Sequence, residues 1–96
     1  MMPNIANQRQ SPRYFLSWPV GFEGGHGVTR DMSTSGVCFE TSQFIDIGSY
    51  IRFFIFPRQV TGAPKRLDCE GVVVRVAPSA QGYGISVSLA ATRFGF

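Results

Sequence analysis

Short apolar segments with a two-residue period, each closed by glycine, proline or small polar residues, constrain this chain more than any other feature. The densest runs Tyr50-Ile51-Arg52-Phe53-Phe54-Ile55-Phe56, where β-branched and aromatic residues predict a strand. Ile51, Phe53 and Ile55 share one face of it; Tyr50, Phe54 and Phe56 fall on the other, so both faces are partly apolar. Leu67, Cys69, Gly71 and Val73 alternate with Asp68, Glu70, Val72 and Val74 in a strand over Leu67 to Val76. Tyr83, Ile85, Val87 and Leu89 alternate with Gly84, Ser86 and Ser88 in the last one. Nearer the start, a first strand is expected from about Leu16 to Phe22. Pro19, which has no N–H to donate, should stand there at an unpaired or bulged position. A glycine-rich hairpin turn over Glu23 to Gly27, a short second strand over Val28 to Arg30 and a third over Val37 to Thr41 follow. Ser42 to Ser49, Pro57 to Arg66 and Ala77 to Gly82 are connections, and Ala90 to Phe96 is too short for a substantial helix. About six short strands without a helical period imply an all-β domain, a small antiparallel barrel or sandwich.

With 96 residues the chain has material for one core and not two. No segment is apolar for long enough to cross a bilayer as a helix, and Met1 to Gln10 has no apolar run of signal-peptide type. A cytoplasmic location is therefore expected. Cys38 and Cys69 lack C-x-x-C spacing and are expected to be free thiols. Nine Lys plus Arg against six Asp plus Glu give a formal charge of +3, which suits an anionic ligand without demanding nucleic acid. His26, the single histidine, falls in the glycine-rich turn and is assigned no role. No nucleophile–base pair and no metal-ligand cluster stand in recognisable context, so no enzyme and no cofactor are expected.

Two polar elements interrupt the strand pattern. Arg9-Gln10-Ser11-Pro12-Arg13 sets two arginines four positions apart, and Pro12 disfavours helix at Ser11. If extended, their Cα atoms stand up to ~14 Å apart, and a turn brings them closer; either spacing lets both guanidinium forks reach one dinucleotide-sized anion. The second element, Asp31-Met32-Ser33-Thr34-Ser35-Gly36, joins two strands through short side chains that bond nearby backbone. Gly36 is placed to take the positive φ that closes a turn. By strand alternation, Arg30 should point away from Asp31.

Taken together, the arginine pair, the polar corner and the strand series resemble the PilZ domain family. Its R-x-x-x-R element is matched by Arg9 and Arg13, and its [D/N]-x-S-x-x-G element by Asp31, Ser33 and Gly36. Gly48 with Ile51, Phe53 and Ile55, then Gly71 to Val76 and Gly82 to Val87, look like the family's later strands. The similarity runs from Arg9 to Leu89.

The resemblance implies a six-stranded antiparallel β-barrel over residues 14–96, a flexible N-terminal segment over 1–13, and cyclic di-GMP as ligand. The chemistry of the matched residues suits that ligand. Arg9 and Arg13 can pair bidentately with phosphate or with the O6/N7 edge of guanine, and can stack on the base. The Asp31 carboxylate can accept from guanine N1-H and N2-H2, Ser33 can add a hydroxyl, Gly36 can let backbone approach, and Arg30 can add positive potential. Binding would order the N-terminal segment, and that ordering would be the signal. Apolar second faces at Tyr50, Phe54 and Phe56 and at Val72, Val74 and Val76 offer a surface for a protein partner or a homodimer, or else pack on one another. Gln8 is uncharged, which leaves one messenger molecule or a stacked pair open. Two alternatives are an adaptor of the same fold that does not bind the nucleotide and, less favoured, a small basic nucleic-acid-binding barrel. The latter would show exposed aromatic stacking platforms in a basic groove.

Overall fold

The computed structural model describes residues 12–95. Arg9 and most of the expected N-terminal segment lie outside them. The described residues form β1 (Pro19–Phe22), β2 (Gly25–Met32), β3 (Gly36–Thr41), β4 (Tyr50–Ile55), β5 (Arg66–Ser79) and β6 (Gly82–Gly95), with no helix among them. Every pairing is antiparallel, and the sheet closes in the order β1-β2-β3-β6-β5-β4. Closure leaves one inner face, and the period-two apolar positions fill it. Phe39, Phe53, Ile55, Val73 and Ile85 are fully buried, with Val20, Val37, Leu67, Cys69 and Val87 around them. The Phe39 ring sits between those of Phe22 and Phe53, with centroids 5.8 and 5.5 Å away.

Several strands are longer than their sequence signal. The second runs from Gly25 to Met32, and the first hairpin turns on Glu23-Gly24 alone, where Gly24 has φ +90°. The β5–β6 turn shrinks to Ala80-Gln81, with Gly82 at φ +126°. Ala90 to Gly95 is strand, because it completes the ladder against Arg66 to Glu70. The first strand is shorter than expected, since Tyr14 to Trp18 follows β2 without a regular ladder. Tyr14 bridges Met32, and the buried Thr29 hydroxyl donates to Leu16 O and accepts from Trp18 N–H. Pro19 opens β1, and its carbonyl accepts from Phe56 N–H at 3.0 Å. Gly36 does not take a positive φ; it begins β3 opposite Ser88, and a Cβ there would stand 3.2 Å from Val87 O.

Two register slips shape one outer face. Between Thr29 and Asp31 the β2–β3 ladder skips Arg30, and between Val73 and Arg75 the β5–β6 ladder skips Val74. A bulge of this kind sets two successive residues against one and re-aims their side chains. Thr29 stays buried and Met32 packs on the core, while Arg30 and Asp31 both line one outer cleft. This corrects the expectation that they point apart: the alternation rule holds only where the ladder is unbroken.

Candidate ligand-binding site

The ladder sets Asp31 opposite Cys38, Cys38 opposite Ser86, and Ser86 opposite Arg75, forming a row across β2, β3, β6 and β5. Beside it stands a second row, Glu40, Gly84 and Ala77. All of these residues except Glu40 line a cleft of about 230 Å³ that Arg13 closes from the N-terminal side. Its floor is made of small side chains, Cys38, Ser86, Ala77 and Gly84, over which a planar group can approach the sheet. Its rim carries three guanidinium groups, those of Arg13, Arg30 and Arg75.

The charges of this rim are partly paired. Arg13 Nη2 stands 2.9 Å from Asp31 Oδ1, and Arg30 Nε stands 3.4 Å from Glu40 Oε2. Arg75 forms no ion pair among the described residues. Asp31 Oδ1 is buried, yet despite the nearby guanidinium it has no aligned hydrogen bond among the described residues. A carboxylate oxygen held by a poorly aligned guanidinium keeps lone-pair capacity that a better-aligned donor from a ligand would take.

Of the sequence-predicted residues, the structure gathers Arg13, Arg30 and Asp31 in this cleft. Ser33 and Gly36 stand at the neighbouring corner. The buried Ser33 accepts from Ser35 N–H through its Oγ at 3.2 Å, and its backbone N–H donates to Gly36 O at 2.8 Å. Ser33 also borders an apolar depression of about 350 Å³ at the barrel mouth, lined among others by Tyr14, Met32, Leu67, Leu89 and Phe94. Arg9 lies outside the described residues. Sequence reasoning missed Arg75, Cys38 and Ser86. Strict alternation puts Arg75 on the same face as Val73, and an arginine in that inward register was itself a signal of the bulge. A larger depression of about 520 Å³, bordered by Phe22, Glu23, Tyr50, Ile51, Arg52 and Phe54, carries one arginine where the cleft at Asp31 carries three. Among the described residues there is no group of three or more potential metal ligands, and no helix long and apolar enough to cross a membrane.

The family model of the PilZ domain matches residues 7–93. The chain belongs to the PilZ family. This PilZ chain also superposes on the Bacillus subtilis inhibitor of motility MotI/DgrA with a TM-score of 0.67 at 16% sequence identity. The match covers 90% of this chain and 44% of that structure, so the chain spans less than half of its neighbour's length, and the likeness is one of fold. No curated protein matches the sequence. PilZ domains are receptor and adaptor domains linked to cyclic di-GMP signalling.

Proposed function

We propose that this PilZ domain is a cytoplasmic, non-enzymatic receptor for cyclic di-GMP. The observation that carries the reading is the Asp31 carboxylate, ion-paired with Arg13 in a cleft rimmed by Arg13, Arg30 and Arg75. Guanine N1-H and N2-H2 are adjacent donors that a carboxylate can accept together, and a cyclic dinucleotide also brings two phosphates to the arginines. The Arg13–Asp31 pair is the resting arrangement. When guanine takes the carboxylate, the Arg13 fork is released toward phosphate or the base face.

A cleft of about 230 Å³ is smaller than sites that enclose a drug-sized ligand, so it seats part of the dinucleotide and leaves the rest to another surface. In this reading residues 1–13 supply that surface through Arg9 and Arg13, the barrel of residues 14–96 supplies Asp31, Ser33 and Gly36, and Arg75 joins the rim. The ligand bridges the two parts, and ordering of the segment is the signal. Exposed Tyr50, Phe56, Val72 and Val74 form the apolar surface on which a protein partner or a second copy would read the change. Nucleic acid is not a partner in this scheme.

Calorimetric titration of cyclic di-GMP into the wild type, Arg13→Ala and Asp31→Ala, with linear GMP and cyclic di-AMP as controls, tests the proposal. Saturable wild-type binding that is lost in both folded variants supports it. No binding by the folded wild type refutes it in favour of a docking adaptor.

A further inference from the structure

Arg30 is built into the cleft by three features that the receptor reading does not require. The register slip leaves it without a partner on β3 and turns it to the side of Asp31. Glu40 holds its Nε edge at 3.4 Å. Its Nη1 stands 3.2 Å from where a Cβ at position 84 would be, so the guanidinium reaches over Gly84. Glu40 and Gly84 face each other directly in the β3–β6 ladder, and the arginine therefore crosses β3 and ends above β6. A guanidinium has five N–H donors in a rigid fork. With Glu40 on the Nε side, the Nη donors remain directed over the cleft.

The consequence lies in the order of polar groups around a base resting on the Cys38, Ser86 and Gly84 floor. Asp31 contributes acceptors and Arg30, next to it, contributes donors. The rim of guanine carries the complement, donors at N2 and N1 beside acceptors at O6 and N7. Adenine carries an acceptor at N1 and a donor at N6 beside the same N7 acceptor, so it would set like against like at Asp31 and at one of the two Arg30 contacts.

We propose, resting on the receptor reading, that Arg30 reads the O6/N7 edge of the bound guanine. Its Nη groups donate to O6 and N7 of the same guanine whose N1-H and N2-H2 edge is accepted by Asp31. Glu40 and Gly84 are positioning residues that hold the fork in place.

The test is calorimetric titration of the full chain with cyclic di-GMP and with its analogue carrying 7-deazaguanine, in the wild type, Arg30→Ala and Glu40→Gln. Circular dichroism checks the fold of each. Replacing N7 by carbon removes one acceptor from the Arg30 fork and leaves the Asp31 edge intact. The wild type is expected to bind the analogue about fivefold or more weakly than cyclic di-GMP. Arg30→Ala should bind cyclic di-GMP roughly 5- to 100-fold more weakly than the wild type and no longer distinguish the two ligands. Glu40→Gln should keep the fold and reduce the discrimination. An N7 penalty that persists undiminished in Arg30→Ala overturns this assignment while leaving the receptor intact. A wild type that binds cyclic di-GMP with no N7 penalty does the same. A wild type that does not bind cyclic di-GMP overturns both readings.

Discussion

Asp31→Ala should separate binding from stability, and the structure sets the size of each effect. The carboxylate pairs with Arg13 at 2.9 Å, but the arginine side chain is 51% exposed. Half-exposed ion pairs contribute roughly 0.2–1 kcal/mol because water screens them and the side chains lose freedom. Losing the pair is further offset by removal of the buried Oδ1, which has no aligned hydrogen bond. The net stability change should therefore fall below about 1 kcal/mol, a shift in Tm of less than about 4–8 °C for a domain of this size. Binding should behave differently. Two charge-assisted hydrogen bonds to guanine at about 1.5–3 kcal/mol each amount to at least ~3 kcal/mol, or on the order of 100-fold in Kd. Thermal melting by circular dichroism, beside calorimetric titration of cyclic di-GMP, measures both on one sample. A Kd within about threefold of the wild type would show that Asp31 does not read the base. A fall in Tm well beyond about 8 °C would show that the carboxylate is chiefly structural.

Three further outcomes follow from the same face and core. Cys38, half-buried in the cleft floor, should react with iodoacetamide in the free protein and be protected by saturating cyclic di-GMP, with the buried Cys69 as internal reference by mass spectrometry; unchanged Cys38 labelling would place the ligand elsewhere. At Gly71 a Cβ would fall on the Ser88 carbonyl of β6, so Gly71→Ala should cost about 1–3 kcal/mol or more in urea unfolding. Gly24→Ala meets no atom and should cost only about 1 kcal/mol through its positive φ, and equal losses at the two sites would contradict the close β5–β6 approach. Burial pushes the Cys69 thiol up to about 11 from 9.0. Above pH 9 the unfolded chain therefore releases a proton that the folded chain keeps until about pH 11, and stability falls across that window. Unfolding free energies of the wild type should drop by ~2 kcal/mol more than those of Cys69→Ala over that range, and parallel curves would remove the thiol from the account.

The barrel was legible because its signal is redundant. Ile51, Phe53 and Ile55, and Leu67, Cys69 and Val73, each declare one inward face, and the ladders keep those faces together. The ends of the strands were less legible. Ala90 to Gly95 has little strand character of its own and is fixed by pairing with Arg66 to Glu70, a contact that local sequence does not carry. Alternation failed at the candidate site. Counted from the buried Thr29, strict alternation would bury Asp31, and counted from the buried Val73 it would bury Arg75. Placing either charge unpaired in an apolar barrel would cost several kcal/mol, far more than the ladder bond lost at a bulge. The ladder slips by one residue at both places, and both charges emerge on one outer face. Arg75 at an inward register position was thus readable as a bulge from the sequence, whereas Asp31 was not, because its register is counted from Thr29, whose burial the apolar Val28 beside it conceals. Their convergence on a single cleft was not readable either, because it depends on β3 and β6 lying side by side between β2 and β5, a pairing set by barrel closure.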